Sequence, residues 1–156
     1  MSDSSKKFAP IDNKPRFQRS VSPIPAFRKE GELVLIRGLP GSGKTTMAKV
    51  LALVDYQHFE ADMFFELNGP YLYDSTRIRD AHAWCLRMTK EALQQGKRAV
   101  VSNTFVRLWE MDAYRSLIKN CRIIEACGKW QNQHGVPTEV VEKMANRWES
   151  LQGQPH

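Results

Sequence analysis

The sequence predicts an α/β fold, a three-layer sandwich in which a short parallel sheet of four or five strands is flanked by helices. Two observations lead there. From residue 32 onward, short apolar runs alternate with helix-length stretches, the order expected of strand–helix–strand units whose sheet is covered on both faces. Between the first apolar run, Leu33-Val34-Leu35-Ile36, and the first helical stretch lies the octet Gly38-Leu39-Pro40-Gly41-Ser42-Gly43-Lys44-Thr45, which fits the phosphate-loop pattern G-x-x-x-x-G-K-[ST].

The elements follow in order. Strands are expected over 32–37, 57–61, 98–103 and 121–126, and helices over 45–54, 75–95, 109–119 and 137–151. The helix over 75–95 carries an apolar stripe, Ile78, Ala81 or His82, Cys85, Met88 or Thr89, and Ala92. Asp74 or Ser75 can cap its start, and Gly96 ends it. The last helix opens on Pro137 and turns Val140, Val141, Met144 and Trp148 inward. Parallel strands put their carboxyl ends, the octet among them, along one edge of the sheet.

The residue types of the octet have a chemical reason. Glycines and a proline let the chain curl so that successive N–H groups face phosphate oxygens, which side chains would obstruct. Gly38, Leu39, Pro40, Gly41, Ser42, Gly43, Lys44, Thr45 and Thr46 are therefore the expected nucleotide-binding residues. Lys44 places a charge at the β- and γ-phosphates, Thr45 offers its hydroxyl to Mg²⁺, and the following helix turns its positive end to the anion. The expected ligands are ATP and Mg²⁺.

Composition limits the alternatives. No apolar run approaches the ~20 residues of a membrane span, and the first residues lack the apolar stretch of a secretory signal. A cytoplasmic location with no membrane partner is expected, as a monomer or small homo-oligomer. Cys85, Cys121 and Cys127 are widely spaced and form no C-x-x-C pair, so they read as reduced, mostly buried thiols.

The net charge of +6 is carried almost wholly by residues 1–29, where Lys6, Lys7, Lys14, Arg16, Arg19, Arg28 and Lys29 face only Asp3 and Asp12. With Pro10, Pro15, Pro23 and Pro25 and many serines, residues 1–29 read as a disordered basic tail, 30–151 as the catalytic domain, and 152–156 as a short C-terminal tail. Any attraction of nucleic acid would come from the basic tail.

Several further residues can carry chemistry. Asp62 follows the second strand and should emerge at the octet's edge, where it either accepts the proton of an attacking hydroxyl or caps the Met63-Phe64-Phe65 segment. Asn103 stands where a P-loop enzyme often has an acidic group; it either bonds a water of the metal shell or, with Thr104, satisfies backbone groups. His82 reads as packed or hydrogen-bonded rather than as a ligand. The polar stretch 128–135 reads as a flap or an ordinary loop, with Lys129, Trp130 and His134 as possible lid residues. Arg77 and Arg79 either hold an acceptor phosphate or lie on a solvated helix face.

In this order the segments resemble the polynucleotide-kinase-like branch of P-loop kinases and small AAA-type ATP-binding proteins. The match rests on residues 37–46, Ala61-Asp62-Met63-Phe64-Phe65, Ala81-His82-Ala83-Trp84-Cys85, Ser102-Asn103-Thr104-Phe105, Trp109-Glu110-Met111 and His134-Gly135-Val136-Pro137. The resemblance implies a P-loop NTPase fold and ATP-dependent phosphoryl transfer to a hydroxyl of a polynucleotide or small molecule, with Lys44 and Asp62 catalytic and Asp62 as general base. The sequence departs from that pattern in three places. Phe65 and Glu66 stand near the position of the family's acceptor-gripping Arg, Asn103 replaces an aspartate, and Gln131, Asn132 and Gln133 replace lid arginines. The alternative readings are a nucleotide-binding regulatory module with slow hydrolysis, and a nucleic-acid adaptor acting through the tail.

Overall fold

The computed structural model describes residues 31–129 and 135–151. The two tails and the candidate lid residues Trp130 and His134 lie outside the described residues. Four strands, β1 (Glu32–Arg37), β2 (Tyr56–Phe59), β3 (Arg98–Asn103) and β4 (Cys121–Glu125), form one sheet in the order β2-β3-β1-β4. All pairs are parallel, with Leu35 opposite Val101 on one side and Ile123 on the other.

Central β1 is buried on both faces, as its continuous apolar run requires. Leu33 and Leu35 meet Cys85 and Ala92 of α2 (Ile78–Gln94) together with Phe105, Met111 and Tyr114. Val34 and Ile36 point the other way, to Ala48 of α1 (Lys44–Ala52), Val100 and Ala126. The expected three layers follow from this two-residue alternation. Truncating Leu33 or Leu35 to Ala in such a core costs about 2–5 kcal/mol.

The stripe of α2 resolves to Ala81, Cys85, Thr89 and Ala92. Met88, two turns on from Ala81, packs partly buried beside the stripe, whereas His82 is exposed and does not belong to it. Asp74 Oδ1 caps the preceding 3₁₀ turn (Ser75–Arg77) by accepting from Thr76 N at 2.9 Å, and Gly96, at φ 79°, closes the helix.

Other expected boundaries move. α1 begins at Lys44 and stops at Ala52, because the chain turns through Leu53 to Asp55, the last at φ 74°. β2 starts one residue earlier than expected and ends at Phe59, and β4 ends at Glu125. The helix expected over 109–119 shrinks to a 3₁₀ turn (Leu108–Met111) and the single turn α3 (Asp112–Arg115). Met111 and Tyr114 bury fully there and Leu117 and Ile118 pack partly against the same core, while Leu117 N bonds to Tyr114 O at 3.0 Å as the chain tightens out of the helix.

The last helix, α4, spans Thr138–Arg147 and buries no residue fully. It ends early because a tertiary clip draws the chain out into extended form. Arg37, 0% exposed at the end of β1, donates to Phe105 O, Val106 O, Glu149 O and Glu125 Oε2, and its guanidinium lies 3.9 Å from the Trp148 ring centroid. Glu149 N in turn donates to Val106 O at 3.0 Å. Of the cysteines, Cys85 is buried, Cys121 half-buried and Cys127 exposed, which corrects the expectation of mostly buried thiols.

Candidate active site

The loop after β1 curls through two left-handed glycines, Gly41 at φ 85° and Gly43 at φ 93°. Gly38 is required for a different reason, since a Cβ there would stand 2.1 Å from Ser42 Oγ and 3.0 Å from Ala126 O. Ser42 N donates to Leu39 O and Met47 N to Gly43 O, while among the described residues the N–H groups of Gly41, Gly43, Lys44 and Thr45 meet no acceptor. The Ser42 hydroxyl is buried and likewise unpartnered among the described residues. Such a set of unspent donors at a helix N-terminus fits a polyphosphate. Burial lowers the pKa of Lys44, while Glu60 and Asp62 pull it back up.

Glu60 went unnoticed in the sequence. It follows β2 and is buried, and its Oε2 accepts from Thr45 Oγ1 (3.1 Å) and Ser102 Oγ (2.8 Å), with His58 Nε2 3.5 Å away. His58 Nε2 also lies 2.8 Å from Ser102 Oγ. Burial by itself would raise the Glu60 pKa, but the bonds from His58, Ser102 and Thr45 outweigh it and hold it at about 2. A signal existed: alternation puts His58 and Glu60 on one side of the strand, and the pairing of His58 with Val100 carries Glu60 to Ser102.

Thr45 and Glu60 supply hard oxygen donors of the kind that suit Mg²⁺. Among the described residues no group of three or more His, Cys, Asp or Glu converges, so an ion held here would share its coordination with nucleotide phosphates.

Asp62 lies in the 3₁₀ segment Ala61–Glu66, and its Oδ1 accepts from Tyr71 Oη at 3.4 Å. Burial, then Asp62, raises the Tyr71 pKa to about 12. Asn103 is buried; its Oδ1 accepts from Ala61 N at 2.9 Å and its Nδ2 faces Cys85 Sγ at 3.7 Å, so it anchors the turn from which Asp62 projects.

Among the described residues an opening lies on each side of the P-loop. On the β2/β3 side a cleft of about 460 Å³ is lined by Lys44, Thr45, Glu60, Asp62 and Asn103. On the β4 side a pocket of about 520 Å³ is lined by Leu39, Gly41, Cys127, Lys129, Val141 and Trp148. Pro40 borders both. α4 forms a wall of each, Val140 and Met144 facing the first opening and Val141 and Ala145 the second, with Trp148 just past its end, which is why its apolar side is not packed into the core.

The structure thus brings Lys44, Thr45, Asp62 and Asn103 into one cleft and places Lys129 at the other opening. Arg77 lies outside the cleft, with Nε 3.0 Å from Asp80 Oδ2 and its guanidinium 4.7 Å from the Phe64 ring; Arg79 is exposed on α2. Thr46 is exposed on the first turn of α1. Among the described residues no helix is long and apolar enough to cross a membrane.

A parallel sheet in this order, with a phosphate loop leaving its central strand and opening a helix, defines a P-loop kinase-like protein. Residues 33–142 match the family described as AAA domain, and the chain belongs to that family. It is 29% identical over 139 residues to NEDD4-binding protein 2 of Homo sapiens, covering 79% of this chain and 8% of that protein, and so spans a small part of that relative's length.

Among solved structures it is similar to a gluconokinase from Sinorhizobium meliloti 1021, with a TM-score of 0.56, 18% identity, and 81% and 80% of the two chains covered. A chain of the Pnkp1/Rnl/Hen1 complex gives a TM-score of 0.53 at 16% identity, covering 81% of this chain and 42% of that one. Both likenesses are likenesses of fold.

Proposed function

We propose that the chain is an ATP-dependent phosphotransferase acting on a hydroxyl acceptor. The observation that carries this is the convergence of Lys44, Thr45, Glu60 and Asp62 on one cleft at the carboxyl ends of β1 and β2. In this reading the loop from Gly38 to Thr46 binds the phosphates, and the β4-side pocket takes the base. Pro40 marks the passage to the acceptor cleft. Asp62 accepts the proton as the acceptor oxygen bonds to the γ-phosphorus, and ADP leaves. Lys44, already desolvated, offsets the charge that develops on the transferred group. Thr45 and Glu60 would hold Mg²⁺, which when bound supplies further charge neutralisation.

The test is transfer of labelled γ-phosphate from ATP to pools of oligonucleotides, nucleosides, sugars and antibiotics. Lys44→Ala is expected to lose nucleotide binding and transfer together. Asp62→Asn is expected to keep nucleotide binding and lose transfer by about a hundredfold or more. Unchanged transfer by Asp62→Asn overturns the role given to that residue.

A second reading, a nucleotide-binding regulatory module, is favoured by one observation: among the described residues no arginine lines the acceptor cleft. It predicts ATP binding with no acceptor labelled. In either reading the positive charge of residues 1–29 would attract polyanions.

A further inference from the structure

We infer that the acceptor taken by the β2/β3-side cleft is an uncharged hydroxyl compound bearing a flat ring, not one carrying a phosphate beside its reacting hydroxyl. This rests on the phosphotransferase reading and narrows its substrate class. The outer wall of the cleft is aromatic. Phe65, Tyr71 and Tyr73 meet there, with ring centroids 6.2 Å apart for Phe65 and Tyr71 and 5.2 Å for Phe65 and Tyr73. The loop bearing the tyrosines is tied back by the bond from Leu72 N to Phe65 O at 3.0 Å. Tyr73, packed on Phe65 by one face, remains 51% exposed. Ile78, Ala81, Val140 and Met144 line the same space and are all apolar. A slot bounded by aromatic and aliphatic side chains receives a ring by stacking and by burial of its faces.

Charge points the same way. Among the described residues the basic side chains lining the cleft are Lys44, which serves the transferred phosphate, and His82, whose pKa is lowered by burial. Asp62 and Glu60 are both carboxylates. A phosphate next to the reacting hydroxyl would lie against them with no guanidinium among the described residues lining the cleft to offset the repulsion, since Arg77 is engaged by Asp80 and Phe64 outside it. An uncharged acceptor meets no such penalty.

The experiment uses the full chain saturated with a non-hydrolysable ATP analogue and Mg²⁺. Calorimetric binding is measured for thymidine, thymidine 3′-monophosphate, phenyl β-D-glucoside and glucose, and label transfer from ATP is measured to the same four. Thymidine and the phenyl glucoside are expected to bind about tenfold or more tightly than the phosphorylated or ring-free member of each pair. Tyr73→Ala, at an exposed position, is expected to erase the preference for the ring with nucleotide affinity unchanged. Asp62→Asn is expected to narrow the gap between thymidine and its 3′-monophosphate.

Equal or tighter binding of the phosphorylated compound, binding of none of the four, or a preference untouched by Tyr73→Ala each overturns the inference. If the ring preference is found and no label moves, the subsite stands and the phosphotransferase reading falls. If label moves chiefly to the phosphorylated acceptor, the reverse holds.

Discussion

Glu60→Gln isolates the group that ties the phosphate loop to the sheet. In the wild type its carboxylate accepts from Thr45 and Ser102 with His58 adjacent, and its pKa is held at about 2 against an ordinary 4.5. A shift of that size corresponds to about 3 kcal/mol of folding stability. Because the folded-state pKa is depressed, this contribution is present in full above the unfolded value and is lost as pH falls through the folded one. It should be nearly constant from pH 7 to pH 5, fall to roughly 1 kcal/mol by pH 3, and vanish below pH 2. Gln keeps the shape and one acceptor but no charge, so the variant should be about 2–3 kcal/mol less stable at pH 7 and close to wild type at the acid end. Urea denaturation in EDTA, followed by tryptophan fluorescence at pH 7, 5 and 3, measures both curves. A gap between them that does not shrink with acid would refute the claim that the network holds an anion. The functional consequence is separate: Glu60→Gln should weaken nucleotide binding in Mg²⁺ and, by removing a carboxylate beside the phosphates, should not weaken it in EDTA.

Three further expectations follow from the same coordinates. Gly38→Ala drives a Cβ to 2.1 Å from Ser42 Oγ, so nucleotide affinity measured by calorimetry should fall about tenfold or more, and adding Ser42→Gly should restore part of it. Arg37→Met leaves Glu125 and three carbonyls without their donor and should lower stability by about 3–5 kcal/mol in urea denaturation; an effect below about 1 kcal/mol would remove the clip from the account of how α4 ends. Among the three thiols, Cys127 is exposed while burial pushes Cys85 up to about 11 and also raises Cys121, so maleimide should modify Cys127 first. Because Cys127 lines the β4-side pocket, ATP should slow that reaction, and an unaffected rate would remove the base from that pocket.

The fold was legible where the cause is local. β1 and β3 have the expected bounds because an unbroken apolar run, bracketed by Glu32 and Arg37 in β1 and by Arg98 and the polar pair Ser102-Asn103 in β3, leaves little choice of register. The phosphate loop is legible because its glycines serve backbone geometry that no other residue meets cheaply. What escaped depends on partners far along the chain. The end of α4 is set by Arg37, more than a hundred residues earlier than the Glu149 carbonyl it binds. Arg37 itself looked like a strand-end charge, and its complete burial follows only once four acceptors from three segments surround it. Glu60 was masked by nearby Asp62, which the resemblance had already supplied with a role, although Glu60 falls inside the expected strand 57–61, on the side of His58, and Asp62 falls beyond it. The aromatic wall was invisible because Tyr71 and Tyr73 read as loop residues until the bond from Leu72 N to Phe65 O folds that loop onto the 3₁₀ segment.

The placement of charge along the sheet edge links the metal and acceptor questions. β3 ends in the neutral pair Ser102 and Asn103, where a carboxylate is often found in P-loop enzymes, and β2 is followed by two carboxylates instead. The pairing of β2 with β3 makes this workable: the Ser102 hydroxyl bridges to Glu60, which extends to the Thr45 hydroxyl from one strand farther away. Asn103, relieved of charge, fixes the Ala61 amide and hence the direction in which Asp62 leaves the chain. The shift moves negative charge from the centre of the sheet toward the acceptor side, the side walled by Phe65, Tyr71 and Tyr73. One displacement across adjacent strands therefore supplies an oxygen donor beside Thr45 and adds negative charge to the neighbouring cleft, so under the proposed function nucleotide handling and acceptor choice would arise from the same strand pairing rather than from independent sites.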